Sequence, residues 1–299
     1  MNSSTRNDSP RFIEMNKSSL DTALTSVITV NYNGLRHTRE VVLSVLRRSP
    51  GTEIIVVDNC STDGSVAALK DEFPSLTVLP MNENKGFACG CNHGAKAANG
   101  KYLFFVNNDA VLSEDTPNIL ASFLDQHSAV AACGPRLINP DGSFQLSFGL
   151  DPGIFNEWIV RGWQRRLRKG SPSFASRIER RFSGKKVDWV SGAALMIRTD
   201  VFRRVGGFDE FFFMYFEDAD LCKRIRELAG EVRFVNTTSV THLLGQSAKD
   251  AKSRVALVYR KSQLHYYEKH LPSLSVQILR FYLYLRGYIN KRNEGIQGR

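Results

Sequence analysis

The chain contains no apolar run of about eighteen residues, the length a helix needs to cross a bilayer, so no membrane span is expected. Its opening, MNSSTRNDSPRFIEMNKSS, lacks the apolar stretch of a secretory signal. Residues 1–22 are therefore expected to be a disordered lead-in. Cysteine is scarce and odd in number: Cys60, Cys89, Cys91, Cys133 and Cys222. Four of the five fall within apolar or helical patterns, which speaks against a disulfide framework and suits a reducing compartment. Cys89-x-Cys91 with His93 has the composition of a metal cluster, but residues two apart on a helix diverge. Glycine-rich phosphate signatures are missing as well. The first strand runs into Asn31-Tyr32-Asn33-Gly34 rather than G-x-G-x-x-G, and no G-K-[ST] occurs, so neither a dinucleotide fingerprint nor a P-loop is present. Acids are outnumbered, 30 against 40 Lys and Arg, leaving a net charge of +10. An anionic partner is expected: nucleic acid, a membrane surface or a diphosphate substrate.

The remaining pattern is strand–helix–strand. Thr25–Asn31, Glu53–Val57, Leu76–Leu79, Tyr102–Val106 and Val130–Cys133 read as buried strands. Between them, Arg36–Arg48, Thr62–Phe73, the small-residue segment Gly86–Ala98 and Thr116–Gln126 read as helices, the last with Pro117 near its start. Short connections of this kind give a Rossmann-like half, a parallel sheet with helices on both faces. Beyond Pro135 the pattern changes. Arg136–Phe148 reads as a hairpin around Asp141-Gly142, and residues 151–186 as an irregular basic excursion in which Trp158 and Trp163 interleave with Arg and Lys. Val187–Ile197 returns to strand character with a small-residue break at Ser191-Gly192-Ala193. Thr199 is expected to cap a short helix. Glu231–Val235 and Ser239–His242 read as two short strands, and Ala251–His270 as a helix. From Ser273, Leu274, Ile278, Phe281, Leu285 and Ile289 recur at helical spacing among Arg280, Arg286, Lys291 and Arg292.

With no glycine loop to cradle phosphate, a ligand site must use side chains at strand ends. Asn31, Asp58, Asn107 and Asp109 are the candidates. Lys101–Val111, KYLFFVNNDAV, is the most informative, because its strand stops on Asn107-Asn108-Asp109. A carboxylate there suits a hard cation carrying a substrate's phosphates; a polar turn is the plainer reading. The second informative stretch is Phe211–Glu227, FFFMYFEDADLCKRIRE. Glu217, Asp218 and Asp220 begin a helix whose buried face carries Leu221, Ile225 and Leu228. Acids in a first turn suit the helix dipole. Beside five aromatics, however, desolvation raises a carboxyl pKa towards the range of a catalytic base. His242, at a strand end, is either structural or a metal ligand. The basic excursion and tail read either as solvated or docked helices, or as surfaces for anionic membrane or phosphate-bearing acceptor. No nucleic-acid module accompanies the charge, so nucleic acid is not an expected partner.

In order along the chain, NYNG at 31–34, VVDNCSTDGS at 56–65, NENKGFACGCNHG at 82–94, FVNNDAVL at 105–112, the segment from Trp189 to Ile225 and HLLGQS at 242–247 resemble the family 2 glycosyltransferases. The closest likeness is to the bacterial rhamnosyltransferase-like branch. The resemblance implies the α/β GT-A (nucleotide-diphospho-sugar transferase) fold over residues 23–248: a Rossmann-like, mixed, mostly parallel sheet flanked by helices. Residues 249–299 would be a helical, membrane-associating segment. It implies an inverting transfer of a sugar, L-rhamnose from dTDP-rhamnose, from a nucleotide-sugar donor to a saccharide or lipid-linked saccharide. That would occur at the cytoplasmic face of an anionic membrane surface, in cell-surface polysaccharide synthesis. Homo-oligomerisation is left open.

The resemblance also assigns residues. Asp58 would contact the base, with Thr29, Asn31 and Asn33 lining its pocket. Asn84, Lys85 and Asn92 would follow the diphosphate or sugar. Asn107-Asn108-Asp109 stands where the family carries D-x-D, so Asp109, completed by His242, would hold a divalent cation, Mg²⁺ or Mn²⁺. Asp218 matches the general base, and Trp189, Gly192 and Glu217 would border the acceptor pocket. The same fold with a UDP-galactofuranose or UDP-hexosamine donor, a sugar-1-phosphate nucleotidylyltransferase and a non-catalytic scaffold are the rivals. Tyr32-Asn33-Gly34 speaks against the nucleotidylyltransferase, and the intact Asp58, Asp109, Asp218 and His242 against the scaffold.

Overall fold

The structure is a computed structural model that describes residues 24–228, 230–243, 252–290 and 293–296. The lead-in at 1–22, residues 244–247 of the HLLGQS segment, and Lys291 and Arg292 lie outside the described residues.

Four apolar strands build the first half: β1 (Thr25–Asn31), β2 (Glu53–Asp58), β3 (Thr77–Pro80) and β4 (Tyr102–Val106). They lie parallel in the order β3-β2-β1-β4. Parallel order demands crossovers, supplied by α1 (Leu35–Arg48), α2 (Ser65–Glu72) and α3 (Gly86–Ala97). α3 sits close on the sheet because its glycines leave room. A Cβ on Gly90 would come within 2.8 Å of Val30, and one on Gly94 within 2.6 Å of Ile28.

After β4 the chain enters β5 (Ala110–Leu112) and α4 (Thr116–Gln126), then β6 (Val130–Ile138), β7 (Phe144–Gln145) and β8 (Phe148–Gly149). Next come α5 (Ile154–Arg168), α6 (Pro172–Phe182), β9 (Trp189–Val190), β10 (Ala194–Arg198) and α7 (Thr199–Arg204). α8 (Glu217–Leu228), β11 (Glu231–His242), α9 (Lys252–His270) and α10 (Ser273–Leu285) follow. Among the described residues nine strands form one mixed sheet, with the main path β3-β2-β1-β4-β10-β6-β11-β5 and β7 paired to β6. Only Asn107-Asn108-Asp109 joins β4 to β5, although β10, β6 and β11 stand between them. Four Cα steps span at most about 14 Å, whereas four flat strand spacings would need about 19 Å. The sheet therefore curls, and the curl brings Ala110 of β5 beside His242 of β11. Apolar side chains fill both faces. Ile28, Phe105, Leu195 and Leu221 belong to one buried cluster; Val27, Val41, Phe104 and Leu120 belong to the other.

Several expectations need correction. Residues 151–186 are not irregular: Trp163 and Leu167 on α5, and Phe174, Ile178 and Phe182 on α6, turn towards the core at helical spacing, and Val160 on α5 is buried. The many Arg and Lys between them obscured that period. Thr199 does not cap α7, since its hydroxyl donates to the Gly100 carbonyl at 2.6 Å. Leu228 is 66% exposed rather than on the buried face of α8. The two short strands expected near the end are one strand, β11, interrupted by a register shift between Val235 and Ser239. The tail helix stops at Leu285. Gly287, at φ +72°, donates to Tyr284 while Tyr288 donates to Leu283, a Schellman ending that places Ile289 in a short strand instead.

α9 and α10 pack on the start of α8 through Phe212, Phe216, Leu264, Tyr266, Tyr267, Leu279 and Leu283. A buried ion cluster pins them: Asp220 lies 2.7 Å from both Arg224 and His270, and 2.8 Å from Lys269. Burial alone would raise the Asp220 carboxyl, but His270, Arg224 and Lys269 outweigh it and bring its pKa to about 2. The unfolded carboxyl titrates near 3.9, so this contribution is whole above about pH 4 and disappears as pH falls through about 2. Asp220→Ala should cost about 3–5 kcal/mol at neutral pH, because it strands buried cations. Urea unfolding should show that deficit at pH 7 and a smaller one at pH 2.5.

Candidate active site

The ends of β1, β2 and β4 meet over one polar cleft. Asn31 and Asp58 are register partners on neighbouring parallel strands. The Asn31 amide donates to Asp58 at 2.7 Å, the Ser61 backbone N–H donates to the other Asp58 oxygen at 2.9 Å, and Asn31 Oδ1 accepts from Thr38 at 2.7 Å. The Asn108 amide reaches Thr38 at 3.4 Å, which ties the β1–β2 end to the β4 end. Asn33, exposed at φ +49°, accepts from the Thr62 N–H at 2.8 Å. Thr29 does not line this pocket. It is fully buried in β1, two residues behind Asn31, and its hydroxyl has no hydrogen-bond partner among the described residues.

Beside the cleft, Asn59 arranges the next loop. Its amide donates to Asn84 at 2.9 Å and its carbonyl accepts from the Lys85 N–H at 3.0 Å. The exposed Lys85 ammonium pairs with Glu83 at 2.9 Å, which raises its pKa. Asn92 stands apart from the sugar path expected for it. Its amide donates to the Phe208 carbonyl and to Glu210, each at 2.9 Å, and its carbonyl accepts from the Phe208 N–H at 2.9 Å. It therefore fastens the Gly206–Asp209 turn to α3.

On the β4 side, His242 Nε2 lies 3.2 Å from Asp109 Oδ1 and 3.3 Å from the Asn107 amide. Asp109 also accepts the Leu243 N–H at its backbone carbonyl, 2.9 Å away. One carboxylate oxygen and one imidazole nitrogen at this separation fit a divalent cation such as Mn²⁺ or Mg²⁺. Among the described residues no group of three His, Cys, Asp or Glu forms. The Cys89–Cys91–His93 grouping forms no such cluster either, and all five cysteines are free.

The acids of α8 arrive from the opposite wall. Tyr215 (φ +72°) and Phe216 (φ +67°) are consecutive left-handed aromatics, a strained entry that aims Glu217 and Asp218 inward. The same loop leans on α3. The Phe87 N–H donates to the Phe213 carbonyl at 2.8 Å, and a Cβ on Gly86 would come within 2.2 Å of that oxygen, so only glycine fits. Asp218 Oδ2 accepts from the Gly192 N–H at 2.9 Å and Oδ1 from the Ala219 N–H at 2.8 Å. Burial raises its pKa, and these N–H groups partly hold it back. Glu217 is 6% exposed, and its Oε2 has no hydrogen-bond partner among the described residues. Burial first, and the Asp218 charge second, push its carboxyl well above the usual range. The bridge between the two walls is Gly192-Ala193: Gly192 holds Asp218, and the next carbonyl, of Ala193, accepts the Asn107 N–H at 3.1 Å. Trp189, three residues before Gly192 on β9, lies with its ring over Gly149 and its Nε1–H donating to the Leu150 carbonyl at 2.8 Å.

Sequence reasoning missed Asn59, Thr38, Ser61 and Gln145, all polar residues that fix a predicted residue. Gln145 Oε1 lies 2.7 Å from His242 Nδ1. Its only sequence signal was a polar residue alternating with Phe144 in the expected hairpin.

A curled mixed sheet with polar strand ends facing an acidic helix start is the arrangement of GT-A glycosyltransferases. The chain belongs to glycosyl transferase family 2, whose profile matches residues 26–206. It is 26% identical over 266 residues, 82% of this chain and 84% of the relative, to the N-acetylglucosaminyl-diphospho-decaprenol L-rhamnosyltransferase of Mycobacterium tuberculosis. Over 85 residues it is 32% identical to the rhamnosyltransferase WbbL of Escherichia coli, covering 28% of this chain and 32% of that one. A mannosyltransferase of Pyrobaculum calidifontis, solved with GDP-Man and Mn²⁺, superposes with a TM-score of 0.56 over 88% of this chain and 70% of its own, at 16% identity. That likeness is one of fold.

A carboxyl raised by burial opposes folding once pH exceeds its unfolded pKa, because the folded state resists losing the proton. Glu217→Gln should therefore raise the thermal midpoint at pH 7–8 relative to wild type and leave it nearly unchanged at pH 4. Scanning calorimetry across that range would test this; equal midpoints at pH 8 would show that Glu217 carries no burial penalty.

Proposed function

We propose that the chain transfers a sugar with inversion, L-rhamnose from dTDP-rhamnose, to a hydroxyl of a lipid-linked saccharide in cell-surface polysaccharide synthesis. The single observation that carries this reading is the Gly192-Ala193 bridge. It sets a carboxylate suited to base catalysis against a cleft whose other wall carries Asp109 and His242. The L-rhamnosyltransferase activity of the mycobacterial relative, aligned over most of both chains, supports the rhamnosyl group and the lipid-linked acceptor.

In this mechanism Asp58, Asn31 and Asn33 hold the base end of the donor, and Asn84 and Lys85 flank the diphosphate. Asp109 and His242 would hold Mg²⁺ or Mn²⁺, which when bound neutralises charge on the departing nucleoside diphosphate. Asp218 takes the proton from the acceptor hydroxyl as that oxygen attacks the anomeric carbon from the face opposite the leaving group. The sugar passes through an oxocarbenium-like state. Burial, and then the neighbouring Asp218 charge, raise the Glu217 carboxyl pKa, which disfavours a second negative charge beside Asp218. Trp189 and Gly192 border the acceptor side.

We place the enzyme on the cytoplasmic face of the membrane. Among the described residues no helix is long and apolar enough to cross a membrane. α10, however, has two apolar faces. Leu279 and Leu283 are buried against the body, while Leu274, Ile278, Phe281 and Leu285 are 46–67% exposed on the other side, and the helix contains no acid. On α5, Phe155 and Trp158 are 82% and 78% exposed ahead of a run of arginines. Exposed apolar side chains, joined on α5 by arginines, seat at anionic bilayers.

Two measurements test the reading. Asp218→Asn should lower kcat about 10²–10⁴-fold while leaving donor affinity within about twofold; wild-type turnover would remove Asp218 from the chemistry. A donor panel monitored by nucleoside-diphosphate release should favour dTDP-rhamnose over UDP-sugars, and a UDP-sugar preference would overturn the donor assignment. For the membrane, the double substitution Phe281→Ser, Leu285→Ser should reduce co-sedimentation with vesicles containing anionic lipid about tenfold or more. Unchanged binding would discard α10 as the contact.

A further inference from the structure

We propose that the β6–β7 hairpin, acting through Gln145, sets the tautomer of His242 and so decides which ring nitrogen faces Asp109. A chain of hydrogen bonds, its direction fixed at the outer end, leads to the His242 ring. Asp141, at the hairpin tip, when ionised can accept but not donate. It accepts the Ser143 hydroxyl at 2.6 Å and the Ser143 N–H at 2.9 Å. With its one proton committed to Asp141, the Ser143 oxygen can only accept from its other neighbour, Asn139. That neighbour must then present its NH₂ group, and Asn139 Nδ2 lies 2.9 Å from Ser143 Oγ. The opposite end of the same amide is thereby an oxygen, and it accepts from Gln145 Nε2 at 3.0 Å. Gln145 is left with Oε1 directed at His242 Nδ1, 2.7 Å away. An oxygen there requires Nδ1 to carry a hydrogen.

His242 Nε2 is consequently the nitrogen turned towards Asp109 Oδ1 at 3.2 Å, with the Asn107 amide donating from 3.3 Å. In a neutral ring with Nδ1–H, Nε2 carries its lone pair into the space beside the carboxylate. That is the state a metal-ligating imidazole needs, and a partner on the far nitrogen is how such rings are oriented. The backbone holds the relay rigid. Leu137 and Ile138 pair with Gln145 and Phe144, Thr241 pairs with Ile138, and Gly142 turns the hairpin at φ +79°. Gln145 and Asn139 are thus positioning residues, acting on the cleft only through His242. The consequence for cation binding rests on the reading of Asp109 and His242 as its ligands; the tautomer does not.

The test uses the full-length, metal-free chain labelled with ¹⁵N. Long-range ¹H–¹⁵N correlation at alkaline pH, where imidazole is neutral, distinguishes the two tautomers. His242 is identified among the six histidines by loss of its signals in His242→Asn. Wild type should show Nδ1–H. Gln145→Leu, which removes the acceptor, should convert His242 to Nε2–H donating to Asp109, and should weaken Mn²⁺ binding, read from the free-ion paramagnetic resonance signal, about 10–100-fold. Gln145→Glu, which keeps an acceptor, should retain Nδ1–H. Unchanged signals from the other five histidines report an intact fold. An Nε2–H ring in wild type, or an Nδ1–H ring in Gln145→Leu, overturns the proposal. Wild type with Nδ1–H but no Mn²⁺ binding supports the relay while counting against the cation reading, so the two failures separate.

Discussion

Everything in the cleft depends on a length. The three residues between β4 and β5 are too few to cross a flat sheet, so the sheet must curl to let the chain continue. The curl is what makes Asp109 and His242 neighbours although 132 positions in sequence separate their flanking strands' register partners Ala110 and His242. It is held by ordinary forces: β-ladder bonds, an apolar filling on both faces, and the Leu243 N–H returning to the Asp109 carbonyl. The chemistry thus rests on a geometric necessity that no single side chain creates.

Three acids in the first turn of α8 have different states because their surroundings differ. Asp220 meets Arg224, Lys269 and the His270 ring, which outweigh its burial and lower its pKa to about 2; Glu217 is desolvated beside the Asp218 charge, and both raise its pKa. Asp218 lies between, raised by burial and restrained by two backbone N–H groups. The same helix end therefore anchors the C-terminal helices with one carboxylate and offers another to the cleft. Environment, rather than residue type, divides the labour.

Most of the fold was legible. β1, β4 and α4 match their expected spans, because uninterrupted apolar runs and a proline near a helix start are strong local signals. Of the strand-end candidates, Asn31 and Asp58 are hydrogen-bonded to each other, and Asn107 and Asp109 both lie beside His242. Legibility ended where tertiary contacts override local pattern. α5 and α6 hid their apolar faces among arginines, Thr199 had a better partner across the sheet than in its own helix, and a single glycine at position 287 stopped α10 short of Ile289. Asn92 illustrates the limit of reading roles from motifs: its amide is taken up by the Phe208 backbone and Glu210. Gln145 shows the converse, a residue with almost no sequence signal whose meaning appears only when hydrogen-bond direction is traced.

The curl also leaves the sheet with little to offer a neighbouring chain. Its main path ends on one side at β3, four residues long and closed by Pro80, which has no N–H to donate. On the other it ends at β5, three residues long, where the Leu112 N–H donates to the Ser44 hydroxyl of α1 at 3.1 Å. Short, proline-terminated or covered edges are how β-proteins avoid templating another strand. Both ends of the main path are therefore poor seeds for edge-to-edge pairing with another strand.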